Sequence, residues 1–132
     1  AQILKVKSQM DSGMFKPLQF AAVKALNQGE EWFTQLNVEY SRRRVLAGEI
    51  FDIIGAEYDK ESVGMFLWGR IPNDAASSEA LADDILYNAR VFITPGFIFG
   101  SNGDRYIRIS LCATEEKMNE ALNRIKQLVN NQ

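Results

Sequence analysis

The chain has 132 residues, 46% of them hydrophobic and 24% charged, the make-up of one globular domain and not of a disordered or fibrous chain. A formal charge of −2 and a pI near 5.2 leave no basic excess, so nucleic acid and anionic membranes are not expected partners. Histidine is absent, which removes Ser/His and Cys/His catalysis and the commonest metal ligand, and the lone Cys112 excludes an internal disulfide.

The first dozen residues show no clear period, and 11–13 (Asp-Ser-Gly) read as a turn. Pro17 to Asn27 is rich in helix formers, with the proline suited to a first turn. A helix is predicted from Glu39 to Ile54, where Leu46, Ile50, Ile53 and Ile54 make one apolar stripe and Gly55 supplies the stop. Met65 to Ile71 reads as a strand closed by Pro72-Asn73-Asp74. Ser77 or Ser78 is suited to cap a helix that turns Leu81, Ile85 and Leu86 inward and ends near Ala89.

Val91 to Thr94 reads as a short strand stopped by Pro95-Gly96, and a glycine-rich loop from Phe97 to Asp104 leads into a strand from Arg105 to Cys112. Thr114 is an N-cap candidate, with Glu115 and Glu116 at the positive end of the last helix and Met118, Ala121, Leu122, Ile125, Leu128 and Val129 as its stripe. The predicted order is α-α-β-α-β-β-α, an α/β (α+β) unit with helices packed on a small three-stranded sheet. No stretch reads as a signal peptide or a membrane span, so the expected location is cytoplasmic.

The strand RYIRISLC carries the most chemistry. At a period of two, Ile107, Ile109 and Leu111 share the core face, which puts Arg108 mid-strand on the opposite face while Arg105 sits at the end, within reach of water. A guanidinium on a rigid strand needs a carboxylate or a cleft, and its planar fork matches a carboxylate, so Arg108 reads either as an anion anchor or as a structural ion pair. The loop PGFIFGSNGD is not followed by a helix and has no lysine in place, so it fails the phosphate-loop pattern and reads as a tight connection. Arg42-Arg43-Arg44 reads as a solvated face or local ion-pair site, Trp68 as core or ligand platform, and Asp83-Asp84 as a helix surface pair. No residue set suggests a metal site.

Taken together, these segments resemble the C-terminal small domain of class I/II (fold type I, aspartate-aminotransferase-like) pyridoxal-phosphate aminotransferases. The run VFITPGFIFGSNGDRYIRISLCATEEKMNEALNRIKQLV matches, in order, the family's short strand, its PG-x-x-FG loop, its Tyr-Ile-Arg strand and its Ala-Thr-x-Glu helix start. Upstream, Tyr40-Ser41-Arg42-Arg43-Arg44 resembles the family's Y-x-x-R-R helix, Gly64-Met65-Phe66 its G-M-F strand, and VKSQMDSGMFKPLQFAAVKAL the segment after its active-site lysine region.

The resemblance implies that Arg108 binds the substrate's α-carboxylate and that Trp68 lines the substrate pocket. It also implies that Ser12, in the 11–13 turn, approaches the cofactor of a partner subunit in a homodimer. The substrates implied are an amino acid and a 2-oxo acid, and the cofactor is pyridoxal 5′-phosphate in the longer parent protein. The family's Schiff-base lysine and phosphate-binding arginine segments are not matched by any of the seven lysines or their surroundings. The expectation is therefore a domain fragment spanning 1–132, its first ~35 residues from the inter-domain region of the parent. No catalytic residue is expected within it, no pyridoxal phosphate on the isolated chain, and no activity. The start at Ala1 fits an excised piece, although loss of an initiator methionine gives the same start.

Two other readings stay open at this level: a free-standing amino-acid-binding module, and a C–S lyase or acyl-CoA-dependent synthase of the same fold. Apolar surface around Met14-Phe15 and Trp32-Phe33 is expected to be exposed by such a cut and to favour self-association.

Overall fold

The computed structural model describes residues 2–10 and 13–130, so Ser12 lies outside the described residues. The chain forms two compact units, residues 1–36 and 37–132.

The first unit holds helix α1 (Gln2–Met10), helix α2 (Lys16–Leu26) and the start of α3 (Glu30–Ile54). Sequence reading gave no period for α1 because neither α1 nor α2 buries a single residue in this unit. Met14, Phe15, Trp32 and Phe33 are all exposed here.

The second unit is a two-layer α+β sandwich. Four antiparallel strands, β1 (Glu57–Tyr58), β2 (Phe66–Arg70), β3 (Thr94–Pro95) and β4 (Tyr106–Ser110), lie in the order β1-β2-β4-β3. The predicted three-stranded sheet thus gains a two-residue edge strand, and the strand expected at Val91–Thr94 pairs only through Thr94 and Pro95. A strand this short has no alternation to read.

Helices α3, α4 (Ser78–Ala89) and α5 (Glu115–Asn130) cover one face, as an antiparallel sheet permits. Ala47, Ile50 and Phe51 of α3, Ile85 and Ala89 of α4, and Met118, Leu122 and Ile125 of α5 pack on Leu67, Ile107 and Leu111. The buried stripe of α3 is centred one residue away from the predicted one, because Ala47 and Gly48, small enough for close packing, hold its middle.

Capping follows the sequence closely. The Ser77 hydroxyl accepts from the Ala80 N–H at 3.0 Å, and the Thr114 hydroxyl accepts from the Lys117 N–H at 3.4 Å. Helix α4 ends on Arg90, the described non-glycine residue with positive φ (56°), whose N–H bonds the Leu86 carbonyl.

Gly69 fixes how closely α3 and the sheet approach: a Cβ there would stand 3.0 Å from the Phe51 ring and 3.2 Å from the Ala56 methyl. Gly69→Ala should lower stability by about 1–3 kcal/mol through overpacking, read as a fall in the urea midpoint. An unchanged midpoint would mean that this contact is not tight.

Candidate functional site

The pleat puts Phe66, Trp68 and Arg70 of β2, with Tyr106, Arg108 and Ser110 of β4, on the face of the sheet away from the core it shares with α3, α4 and α5. The register sets Trp68 directly opposite Arg108, and Phe66 opposite Ser110, one diagonal step away. The alternation read from RYIRISLC therefore holds, and the structure brings Arg108 and Trp68 together.

The surroundings of Arg108 separate it from the structural arginines Arg43, Arg44 and Arg105. Its guanidinium carbon lies 4.2 Å from the Phe99 ring centre, 4.3 Å from that of Phe66 and 5.9 Å from that of Trp68. Its Nε is buried with no hydrogen-bond partner, and no carboxylate of the described residues pairs with it. The terminal nitrogens are not sealed in this way. Ring faces stabilise the positive charge but are poor acceptors for directed N–H bonds, so the donor fork stays uncommitted.

Arg43, Arg44 and Arg105 show what a structural arginine looks like in the same fold. Arg43 donates to the Leu111 carbonyl at 3.2 Å and pairs with Glu39, although its Nε is also unpartnered. Arg44 donates to the Ser62 hydroxyl and to the Gly64 carbonyl at 2.6 Å. Only Arg42 of the run matches a solvated face, with a loose contact to Glu115 at 3.9 Å. Arg105, at the strand end as expected, is only partly open to water. It donates to the Ala75 and Pro72 carbonyls, tying the turn after β2 to the start of β4.

Besides Phe66, Phe99 is a site residue that sequence reasoning missed. It arrives on the glycine-rich loop, which winds as two short 3-10 turns, Gly96–Phe99 and Ser101–Gly103, joined at Gly100 with φ 117°. The turns cross at Gly96 and Gly103, where any side chain would run into backbone; a Cβ on Gly96 would sit 2.7 Å from the Tyr106 carbonyl. These glycines thus serve close backbone packing. Phe99 and Tyr106 both meet Trp68 edge-on, at 5.3 and 6.5 Å between ring centres. A shallow hollow of about 380 Å³ opens beside them, lined by Trp68, Phe99, Asn102, Gly103 and Tyr106.

Known proteins give this face a context. The family model for aminotransferase class I and II matches residues 1–125. The chain belongs to that family. It is 32% identical over 127 residues to the LL-diaminopimelate aminotransferase of Moorella thermoacetica, covering 96% of this chain and 32% of that protein. The apo-BacF structure from Bacillus subtilis superposes with a TM-score of 0.79 at 34% identity, over 94% of this chain and 33% of the other. The aromatic aminotransferase of Pyrococcus horikoshii gives 0.73 at 31%, over 86% and 31%. The chain spans about a third of the length of these relatives.

The glycine loop and several lysines of this aminotransferase chain have partners within the fold. The loop closes on its own backbone, while Lys16 lies over Phe20, Lys60 over Tyr58, and Lys126 pairs with Glu49. Among the described residues no group of three His, Cys, Asp or Glu side chains could hold a metal, and no helix is long and apolar enough to cross a membrane.

A guanidinium without a counter-ion contributes little to folding. Arg108→Met should leave the unfolding free energy within about 1 kcal/mol of wild type, since a shape-matched apolar chain replaces an unpaired charge. Denaturant titration showing a loss of about 3 kcal/mol or more would instead mark Arg108 as half of a buried pair.

Proposed function

We propose that this chain is the carboxylate-binding small domain of an aminotransferase that moves an amino group between an amino acid and a 2-oxo acid. In this reading the domain spans residues 1–132, and Arg108 binds the α-carboxylate. The observation that carries it is the uncommitted donor fork of Arg108 on the sheet face away from the helical core.

A carboxylate meeting that fork accepts two parallel N–H bonds, which fixes the orientation of the attached α-carbon more tightly than a point charge would. Trp68, directly across the register, forms a wall beside the bound carboxylate and limits water there. In the whole protein pyridoxal phosphate, which the family implies, supplies the electron sink at the α-carbon. The lysine that holds it and most of its contacts come from outside this chain, so the isolated chain is inert.

Relatives whose names specify LL-diaminopimelate and aromatic substrates share the α-amino-carboxylate unit and differ in the rest of the substrate. The proposed substrate is accordingly an α-amino acid with its 2-oxo counterpart. A homodimeric parent, with the 11–13 segment near the partner's cofactor, belongs to the same proposal.

Arg108→Ala in the whole protein should lower kcat/KM at least 100-fold, corresponding to about 3 kcal/mol for removing one side of a buried charged pair. Steady-state kinetics with wild-type kcat/KM would remove the anchor role. Mixing the isolated chain with pyridoxal phosphate should give no saturable uptake by spectrophotometric titration; stoichiometric uptake at one lysine would overturn the claim that the chain is inert.

A further inference from the structure

We propose that Phe66 and Phe99 are positioning residues for the substrate carboxylate, holding the Arg108 guanidinium in place while leaving its N–H donors free. The proposal rests on the anchor reading of Arg108 and adds the means by which that anchor is made rigid.

A free arginine side chain carries substantial rotamer entropy, and a ligand that must order it binds more weakly. An internal carboxylate would order it but would occupy the same donors that the substrate needs. Aromatic faces avoid this conflict: they attract the cation without competing for its directed hydrogen bonds. The two rings nearest the guanidinium carbon, at 4.2 and 4.3 Å, supply that restraint.

Neither ring is a core filler. Phe66 is 37% exposed and Phe99 50% exposed, whereas the core phenylalanine Phe51 is fully buried. The two reach Arg108 by independent routes. Phe66 is set by the β2–β4 register, and Phe99 by the crossed turns that Gly96 and Gly103 lock together. Trp68 stands farther from the guanidinium, and its edge-on contact with Phe99 makes it a buttress of that ring. The glycine-rich loop thereby acquires a purpose in the site without touching a phosphate: its rigidity delivers one ring.

The test uses the full-length enzyme with its fastest amino donor, and propionate, a carboxylate lacking the amino group, as competitive inhibitor. Phe66→Leu and Phe99→Leu should each raise KM and the propionate inhibition constant about five- to tenfold, the effect of losing one ring face. The same variants should keep kcat within about twofold, because the loss falls on binding. Phe66→Tyr and Phe99→Tyr should restore both constants, since they return the ring. Leucine variants with wild-type KM and inhibition constant would sink the clamp, as would a loss confined to kcat. Arg108→Ala separates this failure from failure of the anchor itself: it must raise both constants, and if it does not, the anchor reading falls first. Should Phe99→Leu fail to fold, the Phe66 pair carries the same comparison.

Discussion

A charged guanidinium on the face of a small sheet away from its helical core has to be satisfied, and here it is satisfied by rings and not by a counter-ion. That choice governs the rest of the site. A carboxylate beside Arg108 would have made an inert ion pair; Phe66 and Phe99 hold the charge yet leave its hydrogen-bonding edge for something that is not part of this chain.

The remainder of the second unit can be understood as support for that arrangement. The core of α3, α4 and α5 against Leu67, Ile107 and Leu111 fixes one face of the sheet, so the pleat fixes the other. Arg43, Arg44 and Arg105 satisfy backbone carbonyls where the chain turns, at Leu111, Gly64, Ala75 and Pro72. Their terminal nitrogens are engaged by the fold itself. The same side-chain chemistry thus serves two ends in one fold, separated by whether the fork meets a carbonyl or an aromatic face.

Much of this was legible in the sequence wherever the signal was local. The caps at Ser77 and Thr114, the stripe of α5 apart from Val129, which is exposed, and the alternation around Arg108 each depend on a few neighbouring residues, and each appears in the fold. Strand β1 has two residues and no period to detect, while α1 lacks any buried face. The reading of the charge run holds for Arg42, which is solvated, and for the Arg43–Glu39 ion pair, but does not anticipate the carbonyl contacts of Arg43 and Arg44. Yet Arg43 stands four residues before Ala47 and Arg44 four before Gly48, so helical spacing already placed both on the buried stripe. Phe66 shares its strand face with Trp68, a period-two signal that was available. Phe99 carried no such signal: its place depends on how two turns cross, a matter of tertiary path.

The central claim, that Arg108 presents free donors to a substrate carboxylate, is open to direct observation. The eight arginines can be labelled with ¹⁵N and their guanidinium signals followed by NMR in the full-length protein during titration with propionate. The account predicts that the Arg108 signal moves and saturates with the inhibition constant of propionate, while the carbonyl-bound Arg44 and Arg105 stay still. Saturating propionate that leaves the Arg108 signal unmoved would contradict it.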